Sequence, residues 1–267
     1  MGARGLGSIP SSPTQMKKNI KIVISAGGRG TRVPEITSGI IPKGLSRIIN
    51  KRLLSYQLWT LYQLGIREIF TSIEEDWHIG LFKESIRIGE FPPMRYFYGK
   101  HQWTSHPLRS FADKEINSKR NVFDFIGEDD FIWTYGDLFY DRTLINKLIN
   151  RAKQNQTSVG CQIISRRPQP FEKNQFIQFI KNKNGRILDY KKVKRLKFSI
   201  HAPFFFRNQE LSQIKKELTM NPPHTRRLLM RIHDTGGGLS LINPTYLYNM
   251  NWPEDVLLIK KILRRRK

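Results

Sequence analysis

Three observations predict an α/β fold with a mixed, mostly parallel sheet. A nearly all-apolar, β-branched run, Ile20-Lys21-Ile22-Val23-Ile24-Ser25-Ala26, leads directly into a glycine-rich turn. A stretch of helical periodicity follows at residues 51–64, with Leu54, Leu58 and Leu61 on one face. A second apolar run at residues 67–73 then completes strand, helix and strand, which is the pattern of a βαβ unit. The first run lacks the alternation of a half-exposed strand and suits one buried on both faces of a parallel sheet.

The remaining elements follow in order. Gly65 stands where a helix C-terminus favours a residue of positive φ. Phe131-Ile132-Trp133-Thr134-Tyr135 reads as a strand ending at Gly136-Asp137, and Leu144, Ile145, Leu148 and Ile149 mark a helix after it. Residues 157–165 predict a further strand, and residues 176–180 and 187–193 a hairpin turning at Gly185. The last helix begins near Pro253. Glu254 and Asp255 lie in its first turn and Arg264, Arg265 and Arg266 at its end, both complementing the helix dipole, while Val256, Ile259 and Leu263 form its apolar stripe. Residues 1–18, rich in Gly, Pro and Ser, are expected to be a disordered leader, and residues 19–267 one domain, with halves at about 19–140 and 141–267.

The chain has 267 residues, 46 basic and 22 acidic, for a net charge of +24; 39% of residues are hydrophobic, enough to build a core. No apolar run approaches the length of a membrane span. A single cysteine, Cys161, excludes an intrachain disulfide framework and a cysteine-rich zinc site, and a reducing cytoplasm is the simplest compartment. The basic excess fits a nucleic-acid-binding protein as well as an enzyme with polyphosphate substrates. Basic and aromatic residues do not interleave on one face, which argues against nucleic acid.

The turn Ala26-Gly27-Gly28-Arg29-Gly30-Thr31-Arg32 lies where a strand delivers the chain to the C-terminal edge of the sheet, the edge at which open α/β sheets bind ligands. Glycines let backbone N–H groups approach an anion, and Arg29 and Arg32 offer guanidinium donors that match phosphate oxygens. Lys43, just after Pro42, adds a third cation, so a polyphosphate is implied; a tight connection with solvated arginines would leave the same trace. The spacing is neither that of a P-loop nor that of a dinucleotide fingerprint.

Residues 26–32, then Ile36-Thr37, Pro42-Lys43, Ile48, Leu53-Leu54, Tyr56 and residues 64–69, together resemble the signature of the sugar-nucleotide pyrophosphorylases, of the molybdopterin-guanylyltransferase-like kind. The resemblance implies a three-layer α/β/α, Rossmann-like nucleotidyltransferase fold. It also implies that the backbone from Ala26 through Gly27, Gly28, Arg29, Gly30 and Thr31 wraps a nucleotide, and that Arg32 and Lys43 hold its phosphates. The loop before Pro42 has four residues, Ser38-Gly39-Ile40-Ile41, where the family usually has three.

Residues 121–141 hold six acids and no Lys or Arg, a local reversal of sign. Glu128-Asp129-Asp130 reads as a solvated turn. Asp137 ends an apolar strand on the edge that bears the glycine turn, where a carboxylate can hold Mg²⁺ against phosphates or cap the next helix. The resemblance favours the metal, since Gly136-Asp137 matches the family's metal-binding step. The family's second metal site maps to Asn249-Met250-Asn251-Trp252-Pro253-Glu254-Asp255, so Asn251 is the expected neutral partner of Asp137.

On the acceptor side, residues 181–197 carry eight basic residues and one acid, Asp189. The resemblance assigns the grip on a sugar phosphate to Lys192. It also shows departures: Lys191 replaces a sugar-binding Glu, Ile177 a Gly that lies against the sugar, and His201-Ala202-Pro203-Phe204 the family's Ala-Gly-Ile-Tyr. Thr104, within Gln102-Trp103-Thr104-Ser105, falls where the family reads the base. His201 and His233 are read as structural. The expected activity is transfer of a nucleotide monophosphate from an NTP to a phosphorylated acceptor, a sugar 1-phosphate first and a phospho-alcohol such as phosphocholine, by cytidylyl transfer, second. A glycosyltransferase of similar fold is disfavoured because Leu138-Phe139 follows Asp137 where such enzymes place Asp-x-Asp.

Overall fold

A computed structural model describes residues 20–265 apart from 28–29, 74, 101–106, 116–119, 164–175 and 221–222. The leader, Gly28, Arg29 and Thr104 thus lie outside the described residues. A seven-stranded sheet runs, edge to edge, Leu239–Ile242, Ser158–Ile163, Ser199–Phe206, Asp130–Tyr135, Ile20–Ser25, Glu68–Ile73, Arg95–Lys100. Every neighbouring pair is parallel except those made by Ser199–Phe206, which is antiparallel to the strands on both of its sides. The mixed, mostly parallel sheet is therefore as expected, with one inverted strand near its middle.

Ile20–Ser25 lies between Glu68–Ile73 and Asp130–Tyr135, with Ile22 paired to both Ile69 and Ile132, and Ile22, Val23 and Ile24 fully buried. This is why its sequence does not alternate. Along Asp130–Tyr135, alternate side chains do divide: Phe131 and Trp133 pack edge-on against Phe111 of the 107–112 turn, while Thr134, next along the chain, is fully buried on the other face. Trp133 also stacks on Phe204 of the inverted strand.

The helix expected at 51–64 spans Leu53–Gln63, because Lys51–Arg52 pair with Arg47–Ile48 as a small hairpin. Gly65, at φ +84°, follows it in the left-handed conformation. The hairpin predicted at residues 176–180 and 187–193 is present as Phe176–Lys181 and Ile187–Val193, with Gly185 at φ +81°. Asp130 is not part of a solvated turn: it opens its strand and accepts the backbone N–H of Asn208. The acid that serves the helix Leu144–Asn155 is Asp141, which accepts from the backbone N–H and hydroxyl of Thr143. Asp137 caps no helix. It enters the short strand Leu138–Tyr140, which pairs with Leu247–Asn249. Among the described residues no helix is long and apolar enough to cross a membrane.

Candidate active site

Three segments far apart in sequence converge on Gly136. Ser25 and Tyr135 are partners in register, and the backbone N–H of Gly136 donates to Ser25 O at 2.9 Å. A Cβ on Gly136 would stand 3.0 Å from that of Ala26, and one on Gly44 would stand 2.7 Å from Gly136 O. The glycine turn, the Pro42-Lys43-Gly44 segment and the tip of the Asp130–Tyr135 strand are therefore in backbone contact, a closeness that only glycine permits.

That contact sets Lys43 beside Asp137, and the two form an ion pair with about five-sixths of each side chain buried. The same ammonium donates to Asn251 Oδ1 at 2.7 Å. Asn251 is placed by pairing of the following segment: Met250 N–H donates to Asp137 O at 2.9 Å, and the Asn251 and Trp252 N–H groups both donate to Asp255. Lys43, Asp137 and Asn251, named separately from the sequence, thus form one cluster. Glu254 and Asp255 stand in the first turn of Pro253–Arg264, where the Asp255 carboxylate accepts the Trp252 N–H at the helix start.

The glycine turn is shaped from within. The Thr37 hydroxyl lies 2.6 Å from Gly30 O and 2.9 Å from Val33 O, and a Cβ on Gly30 would meet Thr37 Cγ2 at 2.2 Å. Ala26 and Gly30 are buried, whereas Gly27, Thr31 and Arg32 are exposed on the open side of the turn. Lys192 is exposed on its strand, directly across from Ile177. Among the described contacts none joins it to Asp137.

Two residues without a functional assignment from the sequence shape the site. Gln57 is 2% exposed, and its Nε2 reaches the carbonyls of Tyr135, Gly136 and Leu138 at 3.0, 3.2 and 2.7 Å, clamping the loop that carries Asp137. The signal was available: Gln57 is a polar residue on the helix face of Leu54, Leu58 and Leu61. His201 packs edge-on against Tyr135, and its Nε2 lies 3.3 Å from the Asn249 amide nitrogen. Burial holds its imidazole below the usual value; the Ala202 carbonyl and Asp137 draw it up, and Lys43 pushes it down. Burial also raises the Tyr135 phenol.

Among the described residues no group of three His, Cys, Asp or Glu side chains could hold a metal. The donors at hand are one carboxylate, Asp137, and the amide oxygens of Asn251 and Asn249, and Asn249 Oδ1 is buried without a hydrogen-bond partner. All are oxygens of the kind that suits Mg²⁺. The carboxylate and the Asn251 oxygen already flank a cation, the ammonium of Lys43.

The fold recurs in solved structures. An apo UDP-glucose pyrophosphorylase superposes with a TM-score of 0.69 at 13% identity, over 93% of this chain and 99% of that one. The fold is that of the sugar-nucleotide pyrophosphorylases. A UTP-bound UGPase from Acinetobacter baumannii gives a TM-score of 0.68 at 11% identity, over 92% of this chain and 93% of its own. A glucose-1-phosphate thymidylyltransferase from Bacillus anthracis, with sucrose bound, gives 0.66 at 15% identity, over 92% and 95%. No family model and no curated protein sequence matches the chain.

Proposed function

We propose that this chain is a nucleotidyltransferase that moves a nucleotide monophosphate from an NTP to a phosphorylated small-molecule acceptor and releases pyrophosphate. The observation that carries the reading is the convergence of the glycine turn, Lys43, Asp137 and Asn251 at one sheet edge. The solved structures of the same fold are described as sugar-nucleotide pyrophosphorylases, which supports it.

In the reaction, an ionised oxygen of the acceptor's phosphate attacks the α-phosphorus of the NTP in line. A new P–O bond forms as the bond to the β-phosphate's bridging oxygen breaks, and pyrophosphate leaves with that electron pair. The nucleophile is already ionised at neutral pH, so no general base is required, and positioning with charge neutralisation carries the rate. The backbone of residues 26–31 wraps the nucleotide, while Arg32 and Lys43 hold its phosphates and stabilise the charge on the leaving group. Asp137 and Asn251, with Asn249, would hold Mg²⁺, which supplies positive charge to the phosphate oxygens when bound.

The test is pyrophosphate release with each NTP and Mg²⁺ against sugar 1-phosphates, phosphocholine and simple phosphomonoesters. Asp137→Ala and Lys43→Ala are each expected to lower turnover by about a hundredfold or more with the fold intact by circular dichroism. Wild-type rates in either folded variant would refute the assignment.

A further inference from the structure

Of the eight basic residues at 181–197, the family resemblance gives a role to Lys192 alone. The fold sets two of the others against a second basic element. An open groove of about 420 Å³ lies between the tip of the 176–193 hairpin, the helix Leu144–Asn155 and the edge strand Leu239–Ile242. The helix contributes Lys147, Asn150, Arg151 and Gln154, at the i, i+3, i+4 and i+7 spacing of one face. The hairpin contributes Lys181 and Lys183. Three strand spacings, about 14 Å, separate this edge strand from the strand that leads to Asp137, so the groove is apart from the reaction site.

The groove has a fixed backbone frame. The Gly185 carbonyl at the hairpin tip accepts the Leu241 N–H at 2.8 Å, and a Cβ on Gly185 would stand 2.5 Å from Leu241 O. The Asn182 side chain accepts the Arg186 N–H at 3.0 Å, and the Arg151 guanidinium donates to Asn184 O at 2.9 Å, which ties the helix to the turn. The other cations also have neutral partners. Lys147 donates to the Thr245 hydroxyl at 3.2 Å, and the Lys181 ammonium lies 5.7 Å from the centre of the Phe198 ring. Among the described residues no carboxylate pairs with any of the four cations. Asp141, which accepts the N–H of the same Thr245, is buried and also bonded to Thr143. Four like charges thus share one groove without a counter-ion, and an entering anion relieves their repulsion.

We infer that this groove is a second anion site, for a compact ligand that carries several phosphate groups. Such a site does not depend on the nucleotidyltransferase reading. Its volume falls within the roughly 300–1,000 Å³ of small-molecule sites. Arg151 offers a planar fork with N–H groups beyond the one given to Asn184, the lysines offer point charges, and Asn150 and Gln154 add amide donors. That set matches phosphate oxygens. Among the described residues its apolar walls are Leu241 and Ile242 alone, and no aromatic ring lines it, so a nucleobase would have nothing to stack on. This feature favours a charge-dense ligand over a nucleotide or a nucleic-acid strand.

The experiment titrates tripolyphosphate into the full chain by calorimetry at low ionic strength, with Lys43→Ala as the variant that disables the proposed triphosphate cradle. Binding is expected to persist in Lys43→Ala. In Lys147→Glu/Lys183→Glu, whose two positions are exposed, the Kd should rise by about tenfold or more with an unchanged circular dichroism spectrum. Lys147→Gln/Lys183→Gln should give an intermediate Kd. No binding to the wild-type chain, or an unchanged Kd in both double variants, would overturn the inference. So would loss of all binding in Lys43→Ala, which would place the anion in the cradle. A short oligothymidylate competes in a parallel arm. Displacement of tripolyphosphate by the oligonucleotide at a lower phosphate concentration than tripolyphosphate itself needs would make the groove a nucleic-acid site and overturn the compact ligand; weaker displacement supports it.

Discussion

Replacing Gln57 by Leu isolates what holds the Asp137 loop in place. The substitution keeps the side chain's approximate volume inside the helix Leu53–Gln63 and removes only the amide. Its Nε2 has two N–H groups facing three carbonyls, so two strong bonds form at a time, the shortest being the 2.7 Å contact to Leu138 O. Gln57 is 2% exposed, so water does not replace what is lost. A buried carbonyl left without its donor costs about 1–3 kcal/mol. Two such losses, partly offset by the gain from burying Leu in place of an amide, give about 2–4 kcal/mol. With a urea dependence of about 2–3 kcal/mol per molar, the unfolding midpoint should fall by about 1 M. Trp133 is fully buried, so tryptophan fluorescence follows the transition. Pyrophosphate release should fall more than stability alone explains, because Asp137 and Lys43 lose their fixed separation. A midpoint within about 0.2 M of wild type, or full activity, would show that the clamp does nothing the backbone does not already do.

Thr37→Val keeps the shape of the side chain but deletes the hydroxyl bonded to Gly30 O and Val33 O; it should weaken NTP binding by about tenfold, read by titration calorimetry, and unchanged affinity would mean the turn holds its own shape. His201 gives a pH signature. Its folded value lies below the ordinary 6.5, so below pH 6.5 the unfolded chain binds a proton that the folded chain refuses. Stability is therefore full above that pH and declines as pH falls toward the folded value. His201→Gln should flatten part of the decline in urea midpoints between pH 7 and pH 5; His224, which burial also lowers, contributes in the same direction. An identical slope in the variant would contradict the burial assigned to His201.

The sequence by itself determined the local pieces. The apolar run at Ile20–Ser25, the leucine stripe of Leu53–Gln63 and the hairpin around Gly185 each carry the spacing of their own burial, and a spacing can be read without knowing the partner. It also named Lys43, Asp137 and Asn251 separately, each from its immediate neighbours. Only the tertiary structure decided that they meet, since Lys43 and Asn251 are 208 positions apart and their contact depends on the order in which strands join the sheet. The same holds for His201 and Lys183. The inverted strand Ser199–Phe206 lies between two strands of opposite direction, buried mainly along its second half, and so shows little period from which to predict it. Lys183 looks like the other cations of 181–197 until the fold sets the hairpin tip against the helix that carries Lys147 and Arg151. Periodicity reports how much of a segment is buried; which groups share that interior is set by crossovers between distant segments, and the chemistry of the site depends on them.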